Sequence, residues 1–247
     1  MQTKRSTGGR EAVYGVLLIA AMIAFNVLRY PAVLREGGAF RVALPALLLA
    51  LYAAASWRIG RVPAGAAHAA LRQGAGVGLT LAAIMAVHLT VEDFVDLPGS
   101  WSAAFSLGLF PVLFLGFGCA GVRGALRTGR WRLGLLAGVW SAMLCIVAVC
   151  ACGFLINCLF MARLETGLHD SPEFLRSGMR DLKAFTVVNS LESCSSHMII
   201  APVLALVFGG IGGGVGKVLA RRRREPAGRS RPDKTRHWMA GLVVSRP

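Results

Sequence analysis

Residues 133–160 read LGLLAGVWSAMLCIVAVCACGFLINCLF, an unbroken apolar run that contains no charged side chain. A helix needs about 20 mostly apolar residues to cross the hydrocarbon core of a bilayer. In lipid the backbone must satisfy its own hydrogen bonds, so an apolar run of this length predicts a helix. We therefore expect a transmembrane α-helix here, long enough to tilt or to protrude from the membrane.

Further apolar runs lie on both sides of this one, separated by short clusters of charge. The chain is 55% hydrophobic and 16% charged, whereas a soluble domain has about 25% charged residues. This pattern predicts an all-α integral membrane bundle of about six transmembrane helices. The predicted spans are approximately 12–28, 42–57, 74–95, 102–122, 133–160 and 198–220.

The basic residues predict how the bundle is oriented. Most Lys and Arg residues fall in alternate connecting segments if residues 1–11 are cytoplasmic, and basic residues mark the cytoplasmic side. Both termini are then cytoplasmic. We expect the protein to be a multi-pass protein of the cell membrane, of the bacterial inner-membrane type. The first apolar run is too long for a signal peptide, and we expect an uncleaved helix. This bias also explains the net charge of +15 without a nucleic-acid partner.

Two segments outside the spans have features of their own. Residues 171–186 have apolar side chains at helical spacing, which predicts an amphipathic helix at the outer interface, with Ser171 as its N-cap. Residues 221–247 are rich in Arg, Pro and Gly, which predicts a disordered cytoplasmic tail attracted to anionic lipid.

Ionisable residues within membrane segments are candidates for function because they are costly there. His88, Glu92 and Asp96 are spaced four residues apart, so they form one stripe on the third span. Glu192 and His197 lie at the outer end of the sixth. If the two spans are neighbours, these side chains could hold a solute or a cation, and His88, Glu92 and His197 could ligate a metal. Alternatively, the carboxylates lie in water beyond the helix ends.

The stretch VFGGIGGGVGKVLARRRR, residues 207–224, resembles a phosphate-binding loop at first sight. GxxxxGK would need glycine at Ile211, and Val218 stands where the motif has Ser or Thr. Glycines four residues apart instead predict close approach of another helix. The predicted packing residues are Gly209, Gly210, Gly212, Gly213, Gly214 and Gly216.

No motif names a reaction, and no nucleophile elbow or HExxH pair occurs. The sequence favours a non-enzymatic role and requires no cofactor. Five of the six cysteines lie inside apolar runs, where Cys behaves as a small hydrophobe. We expect a small permease or channel-like protein for a small or charged solute. The alternatives are a membrane scaffold or partner subunit, as a homo-oligomer or with a membrane partner, and a metal-binding or redox protein using the His/carboxylate cluster.

Overall fold

The computed structural model of the protein describes residues 7–95, 98–168 and 171–224. Every regular element within these ranges is an α-helix. The helices are α1 (Thr7–Arg29), α2 (Ala32–Glu36), α3 (Ala39–Ile59), α4 (Ala66–Phe94), α5 (Gly99–Thr128), α6 (Trp131–Leu168), α7 (Pro172–Ser177) and α8 (Leu182–Arg224).

Six of these helices have the length and apolar composition to cross a membrane. They are Gly9–Arg29, Ala39–Ile59, Ala66–Phe94, Leu107–Thr128, Trp131–Leu168 and Leu182–Arg223. Each overlaps one of the six predicted spans, so the predicted fold class, an all-α membrane bundle, is confirmed. The observed helices are mostly longer than the predicted spans because charged turns at their ends remain helical.

Contacts between helices show in which direction each one runs. Gly74 and Gly78 of α4 face Ala137 and Ser141 of α6, so α4 and α6 run the same way. Similar pairs align α1 with α6, α3 with α8 and α5 with α8, while α6 and α8 run in opposite directions. These pairs are Gly15 with Val147, Asn26 with Cys158, Arg41 with Glu192, Tyr52 with Met198, Gly118 with Gly212, Val122 with Gly216, Gly134 with Gly213, and Gly138 with Gly209. The helices therefore alternate along the chain.

Alternation places connections 60–65 and 129–130 at one end of the bundle, together with the start of α1 and the end of α8. Arginines cluster at this end, which we call the basic end: Arg58, Arg61, Arg72, Arg123, Arg127, Arg130, Arg132 and Arg221–Arg223. The arrangement has the even number of crossings that the charge pattern predicts.

Helix α6 occupies the centre of the bundle and packs against α1, α4, α5 and α8. Its large side chains Trp140 and Phe154 are almost completely buried. The outer faces of α1, α3, α4, α5 and α8 are apolar and exposed, as expected of surfaces that meet lipid. Backbone angles depart from helical values at Phe160, where α6 kinks before continuing to Leu168.

The segment before the last span differs from the prediction. Ser171 is the N-cap of α7, as predicted, and its hydroxyl accepts a hydrogen bond from the Phe174 amide at 3.2 Å. However, α7 ends at Ser177, because Gly178 adopts a left-handed conformation with φ of 71°. The prediction of a single helix over residues 171–186 is therefore wrong. Residues from Leu182 onward belong to α8, which has 43 residues, or about 65 Å at 1.5 Å per residue.

Candidate functional site

His88 and Glu92 lie one turn apart on α4, and their side chains are in contact. His88 Nε2 is 3.3 Å from Glu92 Oε2, which confirms that the predicted spacing puts the two on one helix face. His88 is only 7% exposed. On its other side the imidazole packs against the ring of Phe105 on α5, with 4.6 Å between ring centroids. The pair therefore joins a buried imidazole to a partly exposed carboxylate.

A groove of about 610 Å³ runs between α4 and α5, and His88 lies in its wall. Apart from His88, the lining side chains are apolar. They are Ala83, Ile84, Val87, Ala104, Phe105, Leu109 and Val112, together with Gly108. Val87 is 64% exposed on this face, so the groove opens sideways toward the position of the lipid. A hydrogen-bonding group thus stands in a space that otherwise suits hydrocarbon.

Glu192 is used in a contact between helices. Its Oε1 is 3.0 Å from Arg41 Nε, which joins α8 to α3 near the end opposite the basic end. Both side chains are about half exposed, so the pair contributes about 1 kcal/mol or less to stability. Glu192 is thus oriented toward α3, whereas the predicted site required it to face α4. The predicted site residue Asp96 lies outside the described residues.

His197 lies on a different side of α4 from the groove. Its Nδ1 is 2.7 Å from the carbonyl oxygen of Ser193, one turn earlier in α8, and its side chain is exposed. It borders a cleft of about 100 Å³ between α4, α6 and α8. The predicted site required the third and sixth spans to be neighbours. Apart from this cleft, α4 and α8 each pack mainly on α5 and α6.

The two predicted histidines therefore face two different spaces. Within residues 7–95, 98–168 and 171–224, no group of three His, Cys, Asp or Glu side chains is placed to hold a metal ion. The structure gives no support to a metal centre formed by His88, Glu92 and His197. Their convergence required α4 and α8 to be neighbours, and apolar periodicity alone does not specify which helices are neighbours.

The glycines of α8 fall into two groups. A Cβ added at Gly213 would lie 2.8 Å from the Trp131 carbonyl oxygen, and one at Gly216 would lie 2.6 Å from that of Val122. Gly209 and Gly212 similarly face the backbones of α6 and α5. Gly210 meets only the Leu135 side chain, at 3.8 Å, and Gly214 meets nothing within 4 Å. Four of the six predicted packing glycines thus lie against the backbone of another helix of the chain, whereas Gly210 meets only a side chain and Gly214 meets neither.

Polar residues inside the spans join the helices. Asn157 Nδ2 donates to Ser190 Oγ at 2.8 Å, linking α6 to α8. Asn26, fully buried on α1, donates to the Cys158 thiol of α6 at 3.2 Å. Cys150, interpreted from sequence as a small hydrophobe, and Cys194, which lies outside the predicted spans, both line the cleft beside His197. The spacing of Cys194 and Met198, four residues apart, was the available signal for a sulfur cluster.

These features define the class of the chain: a multi-pass membrane protein built as a six-helix bundle. Comparison with known protein families, with curated proteins and with solved structures finds no match.

Proposed function

We propose that this protein is a small membrane carrier whose solute is an amphiphile that binds in the groove between α4 and α5. The single observation behind this proposal is the buried imidazole of His88, paired with Glu92 one turn away, in the wall of an otherwise apolar groove. Ionisable side chains in a membrane segment are expensive and normally mark a functional position. The groove accommodates the apolar part of the solute, and His88 supplies a hydrogen bond to its polar group.

A second groove provides a useful contrast. It lies between α1 and α3, has a similar volume of about 550 Å³, and is lined entirely by apolar residues. Lipid chains can fill such a surface without any specific recognition. A small number of placed polar groups is what gives a binding pocket its specificity. The imidazole therefore distinguishes the groove between α4 and α5 as the better candidate for selective binding.

The groove should be blocked by a side chain at Gly108. This residue is part of its lining, and a Cβ there meets nothing within 4 Å, so the side chain of Gly108→Phe begins in open space on the groove wall. Gly76 on α4 is also exposed, meets nothing within 4 Å and lies outside the groove, so Gly76→Phe is the matched control. We expect Gly108→Phe to weaken the binding of radiolabelled dodecanoate, measured in nanodiscs, by about tenfold or more, or about 1.4 kcal/mol.

A separate variant tests the proposed hydrogen bond between His88 and the polar group of the solute. If His88 recognises the head group, wild-type protein should distinguish dodecanoate from dodecanol, and His88→Leu should remove that difference while retaining chain binding. Equal dodecanoate binding by Gly108→Phe and Gly76→Phe would reject the groove as the binding site. Equal discrimination by wild type and His88→Leu would reject the role of the imidazole.

The basic end supports the cytoplasmic orientation that we propose for both termini. Positive residues are retained on the cytoplasmic side during insertion, and this rule operates through short connections like 60–65 and 129–130. Arg221, Arg222 and Arg223 are exposed at the end of α8, in a position to meet anionic lipid of a bacterial-type inner membrane. The rest of the predicted tail, residues 225–247, lies outside the described residues.

A role as a partner subunit is the second candidate, and the outward glycines of α8 favour it. Gly210 and Gly214 are one turn apart beside the exposed side chains of Ile211 and Val215, so another membrane helix could approach this face. Gly214→Leu should then abolish cross-linked oligomers in native membranes, whereas Gly76→Leu should leave them intact. A chain that is monomeric before any substitution would remove this candidate.

A further inference from the structure

Several sulfur-containing side chains are gathered at the cleft between α4, α6 and α8. Met85 of α4, Cys150 of α6 and Cys194 of α8 all line it, and His197 stands at its exposed side. Cys150 and Cys194 are 6% and 5% exposed, so the thiols are buried but adjoin the cleft. None of the lining residues is a carboxylate.

The two thiols are close to each other and to a third sulfur atom. Cys150 of α6 and Cys194 of α8 line the same cleft of about 100 Å³ from two facing helices. Cys194 Sγ is 3.8 Å from Met198 Sδ, one turn further along α8. Met198 is held in place in turn, because its carbonyl oxygen accepts a hydrogen bond from Tyr52. The Met198 thioether thus lies directly beside Cys194, one of the two thiols that line the cleft.

The ligand types decide which ion this cluster suits. Thiolate and thioether sulfur are soft donors that select soft ions such as Cu(I), whereas carboxylate and carbonyl oxygen suit Mg²⁺, Ca²⁺ and Mn²⁺. Zinc requires four ligands from Cys, His, Asp or Glu in a structural site. No group of even three such side chains occurs in the described part of the chain. Methionine sulfur extends the donor set for Cu(I) but not for zinc.

We propose that this cleft binds one soft monovalent cation, Cu(I) or Ag(I), through Cys150 and Cys194, with Met198 as the third sulfur ligand. Each cysteine that ligates the ion does so as the thiolate, so its proton is released. The ion and the protons pass through the open side of the cleft, beside Ser193 and His197. The oxidation state of the ion and of both sulfurs is unchanged.

A competition titration tests this site directly. Reduced protein in nanodiscs is titrated without oxygen against the coloured Cu(I)–bicinchoninate complex. Wild type should remove one equivalent of Cu(I), and Cys150→Ser with Cys194→Ser should lose this high-affinity binding. The matched control is Cys119→Ser with Cys152→Ser, since these two cysteines do not line the cleft. It should bind like wild type.

A third variant guards against a folding artefact. Met198→Leu conserves volume, so the bundle should fold with little loss of stability. We expect it to weaken Cu(I) binding by about tenfold while its circular dichroism spectrum stays that of wild type. Undiminished Cu(I) binding by the Cys150/Cys194 variant would overturn the proposal, as would equal loss in the control variant. Zinc binding as tight as that of Cu(I) would contradict the assignment of a soft ion.

Discussion

The Tyr52 hydroxyl donates a hydrogen bond to the carbonyl oxygen of Met198, 2.8 Å away across the α3–α8 interface. Within a helix this carbonyl would accept from the amide four residues later, but that residue is Pro202, which has no N–H. Tyr52 therefore replaces a hydrogen bond that proline removes. In the apolar interior, where water is excluded, an unsatisfied carbonyl is costly.

This arrangement predicts that the effects of Tyr52 and Pro202 on stability are coupled. Tyr52→Phe should lower the free energy of unfolding by about 1 kcal/mol, because it leaves the Met198 carbonyl without a donor. In a Pro202→Ala background the restored amide satisfies that carbonyl, so the same substitution should cost less. A double-mutant cycle in mixed micelles measures the coupling. The same cost in both backgrounds would contradict it.

The two groups of glycines on α8 should respond differently to alanine. A Cβ at Gly212 would be pushed into the backbone of Gly118, so Gly212→Ala should destabilise the bundle by about 1–3 kcal/mol. Gly214 faces open space, and alanine is the better helix former, so Gly214→Ala should be neutral or stabilise by up to about 1 kcal/mol. The free energies of unfolding of the two variants are compared in mixed micelles. Equal destabilisation by both would show that α5 and α8 do not approach closely at Gly212.

Asp181 should act as the N-cap that starts α8. Its Oδ1 accepts hydrogen bonds from the amides of Lys183 at 2.9 Å and Ala184 at 3.1 Å. Asp181→Ala should cost about 1 kcal/mol, whereas Asp181→Asn keeps the acceptor and most of the stability. Hydrogen exchange of the first α8 amides measures the effect locally. Unchanged protection in the alanine variant would mean that the cap contributes nothing.

The long spans could be predicted because their signals are local. Apolar length identifies a membrane helix without knowledge of its neighbours, and the four-residue spacing of His88 and Glu92 fixes their shared face. The break at Gly178 was also local, but apolar side chains continue at helical spacing on both sides of it and suggested one helix. The N-cap signal of Asp181 was masked by the same continuity.

Contacts between distant parts of the chain could not be predicted in this way. The pairing of Glu192 with Arg41 and of Tyr52 with the Met198 carbonyl depends on which helices are neighbours. Apolar periodicity identifies a buried face but not the helix that covers it. The meeting of His88 with His197 depended on such a neighbourhood, and it does not occur because α4 and α8 each pack mainly on α5 and α6.

The orientation of the bundle gives the final prediction. A cysteine at Leu175, exposed on α7, should be labelled in intact cells by a membrane-impermeant maleimide, because the end opposite the basic end is expected to face outward. A cysteine at Ala227, beyond the arginines that end α8, should be labelled only after the membrane is opened. Both are placed in a Cys119→Ser background, since Cys119 is exposed. The reverse labelling pattern would invert the orientation and place the basic end outside, against the insertion rule that its arginines obey in the proposed topology.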